Sequence, residues 1–349
     1  MRRLIGMTDT QLQIRDVVKD AEWLAHRYDP GHDAFHFHRL PRAGHGQIPF
    51  LTDEHLGDQG RLVLRRADVM AHAPAAAPLH FVFHSAYCCS TLLAAAFDSP
   101  GLSIGLKEPT LLNDIVGWRH RGAKGPDVAR VLDHSLHMLA RPFGPAEAVV
   151  VKPSNVVNAL IPGILALRPQ ARALLLHAPL ETYLASIARK GMWGRLWVRD
   201  LFQKLELEGM LAPLGLAREQ YLGLTDIQVA AVGWLAQQRQ FEALTAQYGD
   251  RVATLDSEVL VARPIDALVA LAGLFSVPMS RETISEIVGG PIFTRDAKNG
   301  TSFEAGQRER QAKEGLRVHG EEIEKVAHWA SVLAANAGVP MTLSRPLLA

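Results

Sequence analysis

Residues 79–93 read LHFVFHSAYCCSTLL and indicate the fold class before any other part of the chain. The first six residues are a strand-like apolar run, the middle is small and polar, and STLLAAAF resumes as an apolar, helix-like run. The turn between them contains Cys88 and Cys89, the only two cysteines in the sequence. A strand that turns through small residues into a helix is the first half of a βαβ unit.

Three further pairs of strand and helix signals follow along the chain. The strand-like runs are AVVVK at 148–152, ARALLLH at 171–177 and RVATLD at 251–256, and each precedes a helical pattern. They are continuously apolar, which is typical of parallel strands covered by helices on both faces. A long helix is also predicted across 226–248, where large apolar residues recur at helical spacing. The sequence therefore predicts a three-layer α/β/α domain with a mainly parallel sheet.

The N-terminal part of the sequence differs from the rest. Residues 1–75 contain turn signals such as DPGHD and RAGHG but few periodic ones, and the proline- and alanine-rich segment HAPAAAPLH follows. We predict an irregular N-terminal extension over residues 1–75, packed on a domain formed by residues 76–349. Several histidines lie in the extension, but no HExxH-like spacing accompanies them, so no metal site is predicted.

Composition narrows the class of protein. The chain has 349 residues, of which 48% are hydrophobic and 21% charged, and its net charge is +1. These values exclude a disordered chain and a strongly basic surface for nucleic acid. No apolar run approaches the roughly 20 residues of a membrane helix, and the first residues lack a signal-peptide pattern. We expect a cytoplasmic protein without nucleic-acid or membrane partners.

The adjacent cysteines fit neither a structural disulfide nor a zinc pair, because neighbouring residues have the wrong geometry and spacing for both. Their place at a strand's carboxyl end suggests another use, since ligands of parallel sheets gather there. Small residues allow the backbone to wrap an anion. The Walker A pattern is absent, because the loop has neither its glycines nor its lysine. Serine and threonine are also ordinary helix N-caps, so this turn alone leaves both interpretations open.

Several motifs in order resemble those of the sulfotransferase family, which has a P-loop fold. The turn is similar to the family's 5′-phosphosulfate loop, with Cys89 in the place of its glycine and Tyr87 in the place of its cation. GLKEP at 105–109 resembles the Gly-Glu-Pro segment that carries the catalytic base, which falls on Glu108. VVVKPSN at 149–155 resembles a strand that ends in a lysine loop.

The second half of the resemblance concerns a 3′-phosphate. ARALLLHAPLETYLASIARKG is similar to the family's 3′-phosphate segment, with His177 in the place of an arginine and Ser186 one residue later than the family's serine. FTRDAKNG resembles the basic C-terminal loop, matching at Arg295 and Lys298. The similarity spans about residues 79–305, and its departures at Tyr87 and His177 remove two expected cations.

The resemblance implies transfer of a sulfuryl group from 3′-phosphoadenosine 5′-phosphosulfate to a hydroxyl or amine of a small-molecule acceptor. Glu108 would be the general base, and no metal is required. The implied donor-binding residues are Ser85, Cys88, Cys89, Ser90, Thr91, Ser186, Arg295 and Lys298. Nearby cations that could compensate for the two departures are Lys107, Lys152, Arg189 and Lys190. A thiol at this helix N-terminus is also expected to have a lowered pKa.

Two other functions stay open. A noncatalytic member of the fold that binds a nucleotide or protein would explain the missing cations. A small-molecule kinase would share the sheet and the loop, but it needs a loop lysine that this sequence lacks.

Overall fold

The computed structural model describes residues 13–57, 60–294 and 307–348. A five-stranded sheet forms its centre. The strands are β4 (Leu79–His84), β5 (Ser103–Lys107), β6 (Ala148–Lys152), β7 (Ala173–His177) and β8 (Val252–Asp256). They pair in the order β5-β6-β4-β7-β8, and all four pairings are parallel. The predicted parallel sheet is confirmed, and the turn after β4 lies at its carboxyl edge.

Helices cover both faces of this sheet. Those that follow the first strand are α5 (Ser90–Ala96), α6 (Thr110–His120), α7 (Gly125–Leu139), α8 (Ile161–Leu167), α9 (Leu180–Arg189), α10 (Gly191–Leu207), α11 (Asp226–Tyr248), α12 (Ser257–Ala262), α13 (Pro264–Phe275), α14 (Arg281–Gly289), α15 (Pro291–Thr294) and α16 (Gln307–Ala337). The predicted long helix at 226–248 has the bounds of α11. Its N-cap is Thr225, whose hydroxyl accepts from the Gln228 N–H in a capping box. None of the helices in the described ranges is long and apolar enough to cross a membrane.

Alternate residues of β4, β6 and β7 enter different hydrophobic clusters, as the two-residue period of a strand requires. Val82 and Leu174 pack in one cluster, together with Trp234 of α11. Phe81 and Leu175 pack in the other, against α6, α7 and the N-terminal part of the chain. Two covered faces explain why the strand sequences are apolar throughout. The three-layer α/β/α prediction is therefore confirmed.

The N-terminal extension is more regular than its turn-rich sequence indicates. It contains α1 (Ile14–Lys19), β1 (Trp23–Asp29), β2 (Ala34–Arg39), α2 (Arg42–His45), α3 (Asp53–Leu56), β3 (Arg61–Arg65) and α4 (Arg66–Ala71). The three strands form an antiparallel sheet in chain order. Phe35 and Phe37 of β2 are fully buried in the same cluster as Phe81. The DPGHD turn connects β1 to β2, so a turn signal in the sequence marks a hairpin.

Arg141 ties the extension to the central domain. Its guanidinium is buried and donates to the carbonyl oxygens of Val18 (2.9 Å), Asp20 (3.1 Å) and Trp23. These carbonyls belong to the end of α1 and the start of β1, where helical hydrogen bonding stops. Burial lowers the pKa of Arg141 to about 10. The side chain stays charged at neutral pH and joins the two parts of the chain.

At the other end, residues 345–347 run along the outer side of β8. The Thr254 N–H donates to the Arg345 carbonyl (3.0 Å), and the Leu347 N–H donates to the Thr254 carbonyl (2.7 Å). Thr254 and Pro346 form a parallel bridge there. The C-terminal segment thus lies against the edge strand of the sheet.

Candidate functional site

The loop at 85–89 is held between the two strands that flank β4. The Ser85 N–H donates to the Leu176 carbonyl of β7 (3.1 Å). The Ala86 N–H donates to Nδ1 of His84 (3.0 Å), so the ring proton is on Nε2, which donates to the Pro153 carbonyl after β6 (3.0 Å). His84 therefore fixes the start of the loop to the end of the neighbouring strand.

Three loop residues adopt left-handed backbone conformations, and none of them is glycine. The φ angles are 73° at Ala86, 53° at Tyr87 and 64° at Cys89. Such conformations cost of order 1–3 kcal/mol for a residue with a side chain. Cys89 is the N-cap of α5 and makes no side-chain capping hydrogen bond. The position where the sulfotransferase-like pattern has glycine is thus one that glycine would favour.

The side chains in and after the loop are largely buried, which indicates that the loop would hold a ligand through its backbone. Cys88 is fully buried, and its thiol donates to the Leu176 carbonyl (3.6 Å). Burial raises the pKa of this thiol to about 12, so the expectation of a lowered pKa is wrong for Cys88. Ser90 and Thr91, in the first turn of α5, are also buried. Cys88 could therefore contact an anion only through its main chain.

Glu108 lies at the carboxyl edge directly after β5, two strands away from β4. Its φ is 52°, and its N–H donates to the Lys152 carbonyl at the end of β6 (2.7 Å). The carboxylate forms an ion pair with Lys152 Nζ. The Lys152 side chain is 1% exposed, and that of Glu108 is 24% exposed. Of the two charged groups, only the Glu108 carboxylate is therefore accessible to solvent.

Phe50 of the N-terminal extension covers the Glu108–Lys152 pair from one side. Lys152 Nζ lies 5.3 Å from the centre of its ring, within the range of a cation–π contact. The neighbouring residue is fixed as well, because the Leu51 N–H donates to the Lys107 carbonyl (2.7 Å). The extension thus forms part of the wall around Glu108.

Gly105 explains how Glu108 comes near the loop. A Cβ atom at this position would lie 1.9 Å from the Ala94 carbonyl oxygen of α5. Only a residue without a side chain allows α5 to pack this closely on β5. The glycine of GLKEP therefore sets the distance between α5, the helix after the loop, and β5, the strand that ends just before Glu108.

Lys152 is the buried cation next to the loop. β6 pairs directly with β4, and the Lys152 charge acts to lower the pKa of Cys88 against the larger effect of burial. Lys107, which the sequence offered as another compensating cation, lies elsewhere. Its ammonium is buried and donates to the His45 carbonyl (2.7 Å) and to that of Ile48, inside the N-terminal extension.

His177 and Ser186 are engaged within the protein. The His177 Nδ1–H donates to the Leu255 carbonyl (3.1 Å), and burial lowers the pKa of His177 to about 4. It is neutral at pH 7 and cannot supply the charge of an arginine. The Ser186 hydroxyl donates to the Thr182 carbonyl within α9 (2.9 Å). Arg295 and Lys298 lie outside the described residues, so their role in holding a 3′-phosphate stays a prediction.

Aromatic rings surround the loop where the resemblance leads one to expect a cation. The Tyr87 ring lies 6.0 Å from that of Tyr183 on α9 and 5.3 Å from that of Trp197 on α10, between ring centres. Burial raises the pKa of Tyr87 to about 12, and the charge of Arg189 opposes this shift. Arg189 is exposed at the end of α9. It is a further cation close to the loop.

A cavity of about 350 Å³ opens on the side of the loop away from Glu108. Its floor is the carboxyl end of β7 and β8, at His177 and Asp256, and α11 and the C-terminal segment form its walls. It begins at Ala178, whose N–H donates to the Ser85 hydroxyl (3.4 Å). The loop thus has a carboxylate–lysine pair on one side and a cavity on the other.

Comparisons with known proteins were made at the level of sequence and of structure. No protein-family model matches the chain, and no curated protein matches its sequence. Its fold is similar to those of several solved structures. They are sulfotransferases.

The sulfotransferase domain from the Synechococcus PCC 7002 olefin synthase is 15% identical, with a TM-score of 0.41, and the match covers 70% of this chain and 96% of that domain. The sulfotransferase domain from the curacin biosynthetic pathway is 14% identical, with a TM-score of 0.38 and coverages of 66% and 84%. Sulfotransferase STF9 from Mycobacterium avium is 12% identical, with a TM-score of 0.40 and coverages of 70% and 77%. Since one fold hosts many activities, the function of this chain has to be inferred from its own residues.

Sequence reasoning proposed Glu108, the loop and Lys152, the last because a lysine at the end of an apolar strand reaches the ligand edge of a parallel sheet. It did not predict the ion pair between Glu108 and Lys152. Phe50 carries no such signal, because its contact with Lys152 joins residues about 100 positions apart.

Proposed function

We propose that the chain is a cytoplasmic sulfotransferase, which moves a sulfuryl group from 3′-phosphoadenosine 5′-phosphosulfate to a hydroxyl or amine of a small-molecule acceptor. The observation that carries the proposal is the Glu108–Lys152 ion pair at the carboxyl edge of the sheet, beside the left-handed loop.

Glu108 would act as the general base. It would take the proton of the acceptor hydroxyl while the acceptor oxygen bonds to sulfur, and the bond from sulfur to the donor's 5′-phosphate oxygen would break. Its partial exposure allows an acceptor to reach it. Lys152 would hold the carboxylate in place through their ion pair.

Lys152 would then serve the leaving group. Once Glu108 takes up a proton, the ammonium loses its anionic partner while negative charge grows on the departing phosphate oxygen. A buried cation acts strongly there because little water screens it. The backbone N–H groups at Ser90 and Thr91, at the start of α5, would hold the phosphosulfate, with Ser85 and the Cys88–Cys89 main chain forming the loop.

The 3′-phosphate contacts would depend on few residues. Neutral His177 supplies no charge, and the Ser186 hydroxyl would have to leave the Thr182 carbonyl to donate to a phosphate. Arg295 and Lys298 would therefore carry most of this contact. The cavity beyond Ala178 would leave room for the nucleoside part of the donor.

Calorimetry tests this proposal directly. Wild-type protein should bind adenosine 3′,5′-bisphosphate without a metal and should not bind magnesium ATP. Lys298→Ala should weaken the bisphosphate roughly tenfold to a hundredfold, the effect of one charge-assisted hydrogen bond, and should leave adenosine 5′-phosphate unaffected. Binding of magnesium ATP instead would favour a kinase.

A second candidate is a noncatalytic member of the same fold. The neutral His177 and the uncharged Tyr87 favour it, because the two cations that the family uses are absent at these positions. A protein that binds the bisphosphate but transfers no sulfuryl group to any acceptor would support this function and exclude the first.

A further inference from the structure

The buried side chain of Lys107 reaches from the end of β5 into the N-terminal extension. It is 3% exposed, and its ammonium donates to the carbonyl oxygens of His45 (2.7 Å) and Ile48. A lysine is rarely buried unless its charge has partners. Burial lowers the pKa of Lys107, and the Asp98 carboxylate just after α5 opposes this shift. The side chain is thus committed to holding the extension against the central domain.

Residues 45–51 of the extension, which we call the clamped segment, are held by two further hydrogen bonds. The Leu51 N–H donates to the Lys107 carbonyl (2.7 Å), and the Thr110 hydroxyl donates to the Leu51 carbonyl (3.0 Å). Leu51 itself is fully buried. Glu108 therefore lies between the two residues that grip the end of the clamped segment, Lys107 before it and Thr110 after it.

Phe50 is the residue through which the clamped segment meets the Glu108–Lys152 pair. Its half-buried ring lies over Lys152 Nζ, which is 5.3 Å from the ring centre. The His55 ring packs on it edge to face, with 5.8 Å between ring centres and 73° between planes. The Phe50 ring is therefore fixed by the clamped segment and by His55, and it covers the ammonium that pairs with Glu108.

This cover matters most while the sulfuryl group is being transferred. Before the reaction, the Lys152 ammonium has the Glu108 carboxylate as its partner. Once Glu108 takes up a proton, the positive charge depends on the ring and on the leaving phosphate oxygen. A cation–π contact is stronger where water is excluded, and a charge also acts more strongly there. Removing the ring would let water reach Lys152 and weaken both effects.

We infer that the N-terminal extension completes the active site. Phe50 is a positioning residue that shields Lys152 from water and keeps its charge available to the leaving group. Lys107 positions Phe50 in turn, by holding the clamped segment. The inference rests on the proposed sulfotransferase function and adds two residues to it, neither of which touches the donor or the acceptor.

Acetylation with acetic anhydride, read out for each lysine by mass spectrometry, tests the shielding without any substrate. Lys152 should react slowly in wild-type protein, because its side chain is almost fully buried. Phe50→Ala and Lys107→Met should each speed its labelling by about threefold or more, since both open a local contact of modest strength. Phe50→Tyr keeps the ring and should label Lys152 as slowly as wild type does.

Single-turnover cleavage of the phosphosulfate donor, with water as the acceptor, tests the effect on the reaction. The water oxygen bonds to sulfur, the bond from sulfur to the phosphate oxygen breaks, and a water proton passes to Glu108. Phe50→Ala should slow this step by about threefold to thirtyfold, the range of a cation–π contact away from water. Lys107→Met should slow it by no more than that. The double variant should match Phe50→Ala, because Lys107 acts through the ring, and Phe50→Ala should have no further effect in a Lys152→Met protein.

The matched control is Tyr248→Ala. The Tyr248 ring is also half-buried and lies over a cation, with 5.4 Å from its centre to the Arg251 guanidinium, but it lies before β8 at the opposite edge of the sheet. This variant should keep the wild-type labelling of Lys152 and the wild-type rate of cleavage. Every variant should bind adenosine 3′,5′-bisphosphate within about twofold of wild type, as a check on folding.

The outcomes separate the inference from the function on which it rests. Equal labelling of Lys152 in wild type and Phe50→Ala, or equal rates of cleavage, would overturn the inference and leave the sulfotransferase intact. A double variant slower than Phe50→Ala would exclude Lys107 as a residue that acts through the ring. Phe50→Ala alone decides the inference if Lys107→Met does not fold. Wild-type protein that binds no bisphosphate and cleaves no donor would overturn the proposed function and the inference together.

Discussion

At the scale of single residues, substitutions in the Glu108–Lys152 pair test whether Glu108 is the proposed base or only a structural carboxylate. Glu108→Gln should lower kcat by about 10²–10⁴, the usual contribution of a general base. Affinity for adenosine 3′,5′-bisphosphate should stay close to wild type, because the loop does not depend on the carboxylate.

The matched change is Lys152→Met, which removes the cation and leaves the stem. It should lower kcat as well, since the leaving phosphate loses its stabilising charge. Single-turnover rates with the donor and a common alcohol measure both effects. A Glu108→Gln protein with unchanged kcat would exclude this residue as the base.

Cys89 is one of the three loop residues with a left-handed backbone conformation. Cys89→Gly removes the cost of a left-handed residue, about 1–2 kcal/mol, but gives flexibility back to the unfolded chain. We expect the free energy of unfolding in urea to rise by up to about 1 kcal/mol. Cys88→Gly, at a buried position without positive φ, should lower it. A loss of stability in both variants would contradict the assignment of strain to Cys89.

At the scale of elements, Gly105 controls the packing of α5 on β5. Gly105→Ala places a methyl group 1.9 Å from the Ala94 carbonyl oxygen, so the helix or the strand must shift. We expect a loss of about 1–3 kcal/mol in the free energy of unfolding, as for other overpacked cores, and a fall in kcat because Glu108 moves relative to the loop.

The control for this prediction is Gly273→Ala on α13. A Cβ atom there meets nothing within 4 Å, and alanine is favoured over glycine in a helix by about 1 kcal/mol. It should therefore stabilise the protein. Equal effects of the two substitutions in denaturant titrations would show that the close approach at Gly105 is not decisive.

The elements also show how much of the fold can be predicted from local sequence. The strands and α11 could be predicted because each depends on its own apolar pattern and, at Thr225, on its own cap. The antiparallel sheet of the extension escaped prediction because β2, with its histidines, buries Phe35 and Phe37 against distant strands. The same limit hid Phe50, whereas Glu108 could be proposed as the base because its motif is contiguous.

At the scale of the whole molecule, burial of neutral histidines makes stability depend on pH. Burial lowers the pKa of His45 to about 3 and those of His80 and His177 to about 4, from the usual 6.5. The unfolded chain therefore takes up protons first as the pH falls below 6.5. Stability is fully present above that value and is lost progressively toward pH 4.

His177→Gln should reduce this acid sensitivity. A shift of about 2.5 pH units corresponds to roughly 3 kcal/mol at pH 4, so the difference in unfolding free energy between pH 7 and pH 4 should shrink by up to that amount. Urea titrations at both pH values measure it. An unchanged difference would mean that His177 does not stay neutral in the folded protein.

The contact of residues 345–347 with β8 also bears on self-association. An uncovered edge strand offers its N–H and C=O groups to any other sheet, and proteins commonly mask such edges. Here the chain's own C-terminal segment occupies the groups of Thr254. A protein truncated before Arg345 should therefore expose the edge strand β8 and form larger species in gel filtration. Affinity tags attached after this segment would disturb its contact with β8 and are better placed elsewhere.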